Sequence, residues 1–252
     1  MKQIILATGA DCTYYQKQQF QNYIQSIIQN SNFDKNYIVL LDTIPDKQSD
    51  QHVEYTTVTS NQIECLNINK CIQHGEFLKA GGFANTRDSD VILYTDGDMT
   101  IQRGLSSAER EFLFKLKDGD VFVGYNASPT DTLQNEFHRL GFTGHLAPNI
   151  VGSFDDIKIY NTGVLCMNKA TWTKLTDTYI ELYPEIDRMF SHYAKQQWLI
   201  SYIIGTRDFN IYEMPYDFHN HTHYPSPTGT AIDEYGVVRH NGSIVLFKHR
   251  WI

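Results

Sequence analysis

Val91-Ile-Leu-Tyr-Thr-Asp96-Gly-Asp98-Met99 is the stretch of sequence that decides the fold. Its apolar start predicts a strand that is covered on both faces of a sheet. Two carboxylates separated by one glycine follow directly, and Gly97 makes a turn sterically easy at this point. Residues two apart in an extended segment point the same way, so Asp96 and Asp98 are predicted to address one cation. Oxygen ligands of this kind suit Mn²⁺ or Mg²⁺.

Strands and helices alternate over the first hundred residues. Buried strands are predicted at 3–11, 37–42 and 53–58, and helices at about 15–30 and 69–80. This alternation indicates right-handed crossovers and therefore an α/β fold with a mainly parallel central sheet flanked by helices. Ligands bind such sheets outside the carboxyl ends of the strands, where four aspartates fall: Asp11, Asp42, Asp96 and Asp98.

The second part of the chain continues the pattern as far as residue 213. The predicted elements are a helix at 109–116, a strand at 120–125, a short helix at 133–140, a strand at 157–167 and helices at 169–183 and 184–204. Pro184 is expected to start the last of these helices. Residues 214–252 are expected to be loop-dominated, with one last strand at 243–249. No repeat or linker divides the chain, so we expect one domain over residues 1–252.

Composition excludes several classes of protein. A net charge of −8 argues against binding along a nucleic-acid backbone, but it is compatible with a nucleotide held through a metal ion. The four cysteines show no CxxC spacing, so we expect reduced thiols in a cytoplasmic protein. No stretch approaches the roughly 20 apolar residues of a transmembrane segment, and the first residues do not form a signal peptide.

Two motifs carry a family resemblance. VILYTDGDM at 91–99 resembles the Asp-x-Asp strand of GT-A-fold, nucleotide-sugar-dependent glycosyltransferases, and resembles family 8 most. YNTGVLCMN at 160–168 is similar to a strand of that group that commonly reads Phe-Asn-Ala/Thr-Gly-Val-Leu-Leu-Met. The opening ILATGAD and a terminal histidine strand extend the resemblance over nearly the whole chain. It implies a GT-A-like (Rossmann-like) domain with a nucleotide-sugar-binding half at 1–100 and a loop-rich acceptor-side half at 101–252.

The resemblance implies a metal site. Asp96 and Asp98 would hold Mn²⁺ or Mg²⁺ on the diphosphate of the nucleotide sugar, and the ion would stabilise the departing nucleoside diphosphate. Family 8 completes this site with a histidine in a His-x-x-Gly-x-x-Lys-Pro-Trp pattern near the C-terminus. Here His249 keeps the position but departs from the pattern, so three other histidines compete with it: His219, His221 and His223. We favour His249 as the third ligand, with His221 next.

It also implies a donor pocket. Three small residues of the first strand would line the nucleoside, namely Ala7, Thr8 and Gly9. Tyr14 or Tyr15 would stack on the base. Lys79 lies where similar enzymes carry a basic residue near the donor, although a solvated helix face explains this lysine equally well.

The catalytic residues are less well defined by sequence. Family 8 enzymes, which retain configuration, often show Asp-Gln at a helix start below the sugar, where this chain has Gln196 and Gln197. An amide is not a base, which favours a retaining enzyme in which Gln197 and Asn161 hydrogen-bond the sugar. Asp156, with its neighbour Asp155, is the reserve base.

The expected activity is transfer of a hexose from a nucleotide sugar, a UDP-sugar above all, to a hydroxyl of a glycan or other acceptor. A sugar nucleotidyltransferase is an alternative, but such enzymes resemble Leu-Ala-Gly-Gly-x-Gly-Thr-Arg at the first strand, which this chain lacks. A metal-dependent hydrolase that uses the histidine-rich tail is a second alternative. A non-catalytic sugar-binding protein is a third, but it would not need a pair of metal-binding carboxylates.

Overall fold

The computed structural model describes residues 1–11, 17–41, 54–58, 87–126, 130–139, 154, 156–189, 195–221 and 228–249. Its helices are α1 (Gln18–Asn30), α2 (Ser107–Phe114), α3 (Leu133–Arg139), α4 (Lys169–Met189) and α5 (Lys195–Thr206). Its first eight strands are β1 (Ile4–Asp11), β2 (Lys35–Leu41), β3 (Glu54–Val58), β4 (Val91–Thr95), β5 (Met99–Ile101), β6 (Asp120–Tyr125), β7 (Tyr160–Asn168) and β8 (Asn210–Glu213). The predicted helix at 69–80 lies outside the described residues.

Seven strands form the central sheet, in the order β3-β2-β1-β4-β7-β6-β8. The pairs β1–β2, β1–β4, β2–β3 and β6–β8 are parallel, whereas β7 runs antiparallel to both β4 and β6. The prediction of a mainly parallel sheet flanked by helices is therefore confirmed. Because β7 is reversed, its first residues lie beside the carboxyl end of β4.

Both faces of the sheet are covered, as the apolar run in β4 predicts. Alternate residues of a strand point to opposite faces. Val91 and Leu93 accordingly pack with α1, while Ile92 and Tyr94 pack with the helices α4 and α5 on the other face. Cys166 of β7 is a fully buried free cysteine in this core, and burial raises the pKa of its thiol.

The prediction that a helix starts at Pro184 is wrong, because α4 continues through this residue to Met189. Proline removes one hydrogen bond and costs about 3 kcal/mol inside a helix. However, four residues at helical spacing on both sides of Pro184 form a buried stripe: Tyr179, Leu182, Tyr183 and Ile186. Pro184 itself lies on the exposed face, so burial of the stripe outweighs the local cost of the proline.

The tail has more strands than the sequence predicts. Its described part forms five short strands, joined by loops: β9 (His219–His221), β10 (Thr230–Ile232), β11 (Val238–His240), β12 (Ser243–Ile244) and β13 (Phe247–His249). The predicted last strand divides at residues 245–246. Its first piece joins the sheet β10-β11-β12, and its second piece joins the sheet β5-β13-β9. Short strands that pair with distant segments leave no long periodic pattern in sequence, which explains why the others were not predicted. No helix in the described ranges has the length and apolarity needed to cross a bilayer.

Asp90 fixes the start of β4 and offers a test of this arrangement. Its carboxylate accepts hydrogen bonds from the backbone N–H groups of Gln3, at 3.0 Å, and Arg87, at 3.1 Å. Burial alone raises its pKa, but the hydrogen bonds from Arg87 and Gln3 outweigh burial and hold the pKa below the usual 3.8. The carboxylate therefore stabilises the fold above pH 3.8, and this contribution is lost as pH falls through the lowered pKa.

We expect Asp90→Asn to lower the free energy of unfolding by about 1–3 kcal/mol at pH 7, because an amide N–H₂ would face a backbone donor. Urea unfolding measures the change. The exposed Asp88→Asn is the control and should change stability by less than about 0.5 kcal/mol. A gap between Asp90→Asn and wild type that does not shrink below pH 3.8 would contradict this role of the charge.

Candidate metal centre and active site

Asp96 and Asp98 lie at the carboxyl end of β4, in the turn that leads to β5. The backbone N–H of Asp96 donates to the carbonyl oxygen of Gly163 at 2.8 Å, which continues the pairing of β4 with β7. Gly97 is buried in the turn. The turn that carries both carboxylates therefore begins at the carboxyl end of a strand of the central sheet, where the sequence predicts it.

The last described strand brings His249 to this pair. β13 runs antiparallel to β5, and His249 lies opposite Met99, the residue after Asp98. The His249 Nε2 atom is 3.2 Å from Asp98 Oδ2. One ligand atom from each of Asp96, Asp98 and His249 lies within 4.8 Å of the others. The predicted choice of His249 as the third ligand is thus supported by its position.

The 3.2 Å between His249 Nε2 and Asp98 Oδ2 is close to the spacing of two neighbouring ligands around one octahedral ion. With metal–ligand bonds of about 2.1 Å, neighbouring ligand atoms are about 3.0 Å apart and opposite ones about 4.2 Å apart. The carboxylate atom Asp98 Oδ1 is buried, and no described residue hydrogen-bonds it. A buried carboxylate oxygen without a donor is costly unless a cation neutralises it. Two carboxylates and one imidazole suit Mn²⁺ or Mg²⁺, although the geometry does not choose between these ions.

Gly163 keeps space for this centre. A methyl group at this position would lie 2.8 Å from Asn161 Oδ1, 2.9 Å from Met99 Cε and 3.1 Å from Asp96 Oδ2. The first two separations are shorter than real methyl groups show. A larger residue at 163 would therefore displace the Met99 side chain and the Asn161 amide that accepts from the Gly163 N–H.

The competing histidines occupy different places. His219 stacks on His249, with ring centroids 5.7 Å apart and planes at 28°. Burial, and to a lesser extent His249, holds the pKa of His219 well below its usual value, so this ring is neutral at pH 7. The backbone of His221 lies opposite His249 in the pairing of β9 with β13, but its side chain lies outside the described atoms, as does the whole of His223. His219 is therefore a packing neighbour of the cluster.

Three side-chain amides form a hydrogen-bonded chain that begins at the backbone N–H of Gly163. Asn161 Oδ1 accepts from the backbone N–H of Gly163 at 2.9 Å, which fixes that amide because a backbone N–H only donates. Asn161 Nδ2 then donates to Gln197 Oε1 at 3.4 Å, and Gln197 Nε2 donates to Asn126 Oδ1 at 3.2 Å. One backbone group thus sets the orientation of both predicted site amides, Asn161 and Gln197. Gln196 lies beside them on α5 and is buried.

The first strand lies close to the carboxylates. Ala7 pairs with Tyr94 in the register of β1 and β4, so Thr8 and Gly9 extend along the end of β4. Ala7 and Thr8 are buried, and the Thr8 hydroxyl has no hydrogen-bond partner among the described residues. Tyr14, Tyr15 and Lys79 lie outside the described residues, so their predicted contacts with the donor stay predictions.

Asp156 lies on an exposed segment that precedes β7. Its neighbour Ile157 contacts Gly205 near the C-terminal end of α5. Gln197 lies eight residues earlier on this helix, which corresponds to about 12 Å along its axis. The described contacts of Asp156 therefore do not join it to the amide chain, and Asp155 lies outside the described residues.

Sequence reasoning missed Asn126 as part of the site, and it missed the packing role of His219. Asn126 directly follows β6, whose carboxyl end lies at the same edge of the sheet as the end of β4. The predicted strand at 120–125 therefore indicated that Asn126 lies at this edge. His219 was considered only as a ligand. Its stacking on His249 depends on the pairing of β9 with β13, which no local pattern reveals.

The fold is the GT-A fold of glycosyltransferases. The galactosyltransferase LgtC, solved in complex with donor and acceptor sugar analogues, matches with a TM-score of 0.55 and 12% identity over 97% of this chain and 86% of LgtC. An active-site mutant of LgtC matches with a TM-score of 0.55 and 13% identity over the same shares. No protein-family model and no curated protein matches the sequence. At these identities the likeness establishes the fold.

We expect His249→Ala to weaken Mn²⁺ binding by at least about tenfold, because a six-coordinate ion loses one of three protein ligands. Calorimetric titration with MnCl₂ measures this affinity. His138→Ala is the matched control, since His138 is an exposed histidine on α3 outside the cluster. Equal Mn²⁺ affinities of the two variants would rule out His249 as a ligand.

Proposed function

We propose that this protein is a metal-dependent glycosyltransferase that moves a hexose from a nucleotide sugar, a UDP-sugar above all, to a hydroxyl acceptor with retention of configuration. The observation that carries the proposal is the cluster of Asp96, Asp98 and His249 at the carboxyl end of β4 in a GT-A fold. LgtC, which shares this fold, was solved with donor and acceptor sugar analogues.

The acidic cluster explains how a chain with a net charge of −8 binds an anionic donor. A divalent ion supplies positive charge at the diphosphate, where charge develops as the nucleoside diphosphate leaves. Asp96 and Asp98 contribute two negative charges that hold the ion. His249 contributes a neutral nitrogen and adds no further negative charge, so the three ligands only balance the charge of the ion and leave other coordination positions open to phosphate oxygens.

The end of β1 supports a nucleoside pocket. Ala7 and Gly9 have small side chains or none, so a ligand can approach the backbone closely. The buried Thr8 hydroxyl lacks a partner among the described residues, and a polar group of the nucleoside would satisfy it. We assign these three residues to the donor, together with Tyr14 and Lys79.

The amide chain supports a role for Gln197 and Asn161 at the sugar. The Gln197 amide is oriented at both ends, by Asn161 and Asn126, so its remaining N–H and lone pair are preorganised rather than free to rotate. Preorganised dipoles stabilise charge that develops at the anomeric carbon and at the acceptor hydroxyl. The LgtC variant solved in this fold is an active-site glutamine-to-glutamate mutant, so LgtC also has an active-site glutamine. Asp156 remains the proposed reserve base.

The activity can be tested with a panel of UDP- and GDP-sugars and MnCl₂, by following release of the nucleoside diphosphate. We expect release with a UDP-sugar, its loss on chelation of the metal, and at least about a 10²-fold lower rate for Asp98→Asn. Asp177→Asn, on an exposed position of α4, is the control for charge and should keep the wild-type rate. Absence of release with every donor, or a wild-type rate in Asp98→Asn, would refute the proposal.

The role of Gln197 has its own test. We expect Gln197→Ala to lower kcat by about 10²-fold while the Mn²⁺ affinity stays unchanged, because the amide acts on the sugar and not on the metal. Asn126→Asp should keep most of the activity, since a carboxylate still accepts from Gln197 Nε2, whereas Asn126→Leu should not. Steady-state kinetics and calorimetry separate these outcomes. If Asp156→Asn lowers kcat more than Gln197→Ala does, the Asp156 carboxylate and not the Gln197 amide has the principal catalytic role.

A further inference from the structure

A cleft of about 810 Å³ opens at the outer edge of the central sheet, beside the carboxyl ends of β6 and β8. The metal cluster and the amide chain do not line it. We call it the aromatic cleft, because four rings and two carboxylates dominate its walls: Tyr125, Tyr212, Tyr216, His240, Glu213 and Asp217.

Three of the rings form a continuous surface. The centroids of Tyr125 and Tyr216 are 5.9 Å apart, and those of Tyr216 and His240 are 5.4 Å apart, with planes tilted by 45° and 55°. The fourth ring, Tyr212, is held by an edge contact with Phe112 and is 42% exposed. Rings that are held by such contacts and remain partly exposed offer rigid, amphipathic area to a ligand.

Two neighbouring residues hold the Glu213 carboxylate in the cleft. Glu213 accepts hydrogen bonds from the Tyr125 hydroxyl and from Lys158 Nζ, each at 2.5 Å, and Lys158 also lies 5.9 Å from the Tyr125 ring centroid. Burial opposes ionisation, but the bonds from Lys158 and Tyr125 lower the pKa of Glu213. Glu213 therefore stays ionised at pH 7 and keeps spare lone pairs as an acceptor for hydroxyl groups.

The charges of the cleft select a class of ligand. Among the described residues that line the cleft there is no lysine or arginine, whereas Glu213 and Asp217 are acidic. Lys158 pairs with Glu213, so a phosphate or carboxylate ligand would meet the remaining negative charge of Asp217. A neutral ligand rich in hydroxyl groups would instead donate to these oxygens and lay its C–H groups on the rings.

The cleft lies near the proposed sugar site. Tyr125 precedes Asn126, the last residue of the amide chain, and Tyr216 lies three residues before His219, which stacks on His249. In the sheet, β6 lies two strands from β4. With strands about 4.8 Å apart, the end of β6 is therefore roughly 10 Å from the carboxylate turn. A short oligosaccharide spans this distance.

We propose that the aromatic cleft binds the inner sugar rings of a neutral oligosaccharide acceptor, whose terminal hydroxyl reaches the sugar site. The proposal rests on the proposed function for the direction in which the acceptor points. Ring faces of tyrosine carry partial negative charge, and the C–H groups on one face of a pyranose carry partial positive charge, so the two attract each other as they exclude water. Glu213 and Asp217 accept hydrogen bonds from the hydroxyl groups at the edges of the pyranose.

The experiment measures binding of sugars without any donor, by saturation-transfer NMR and calorimetry. The probes are methyl glucoside, lactose, maltotetraose, cellotetraose and, as an anionic comparison, glucose 6-phosphate. We expect at least one tetrasaccharide to bind wild type at least about fivefold more tightly than methyl glucoside, and glucose 6-phosphate to bind no better than methyl glucoside. Tyr216→Ala should weaken tetrasaccharide binding by about tenfold, as is common for a central aromatic contact.

Two variants make the result specific. Tyr216→Phe keeps the ring and should bind the tetrasaccharide within about twofold of wild type, which separates stacking from a folding defect. Tyr235→Ala, which removes an 84% exposed tyrosine outside the cleft, should bind as wild type does. Equal binding by Tyr216→Ala and Tyr235→Ala, or a preference for glucose 6-phosphate over both tetrasaccharides, would overturn the proposal.

The outcome is distinguishable from failure of the proposed function, because no nucleotide sugar is present in the binding experiment. Tetrasaccharide binding that depends on Tyr216, in a protein that releases no nucleoside diphosphate from any donor, would sink the transferase proposal and leave a sugar-binding cleft. Release of the nucleoside diphosphate without any preference for a tetrasaccharide would support the transferase proposal and overturn the proposed role of the aromatic cleft.

Discussion

The pairing of β13 with β5 is the interaction on which the site depends. It places His249 opposite Met99, and so beside a carboxylate that lies 151 residues earlier in the chain. β5 continues directly from the turn that holds Asp96 and Asp98, so any shift of this pairing by one residue would turn the imidazole to the other face. His219 packs on His249 from the next strand, β9, and fixes the orientation of the ring. The three candidate ligands are thus held by backbone hydrogen bonds on both sides of the turn.

The reversed direction of β7 is the second constraint. In a fully parallel sheet, the first residues of β7 would lie at the opposite edge from the end of β4. Because β7 is antiparallel, Asn161 and Gly163 lie beside Asp96, and α5 brings Gln197 to the same place. The metal cluster and the amide chain therefore share one edge of the sheet. Glycine at position 163 leaves room for the side chains of Asn161, Met99 and Asp96 at this edge.

Much of this could be predicted from local sequence. The carboxylate turn follows a strand that is buried on both faces of the sheet. Such a strand can be recognised in sequence, because burial on both faces requires apolar side chains throughout. The helices α1, α2 and α3 were predicted within a few residues from local sequence as well. Pro184 misled the prediction, since a local rule for proline does not include the buried stripe that holds the helix together on both sides of it. The short strands of the tail were missed because their hydrogen-bond partners are distant in the chain.

The sequence by itself determined the α/β fold class and the pair of aspartates, which follow from residue type and periodicity, both of them local properties. Asn161, Gln197 and His249 became candidates through the family resemblance of the motifs around them. Only the tertiary structure decided that His249 reaches the aspartates, that His219 packs against it, that Asn126 completes the amide chain, and that Tyr125 and Tyr216 wall one cleft. These are contacts between segments far apart in the chain. They depend on strand order, direction and register, which emerge when the whole core packs at once.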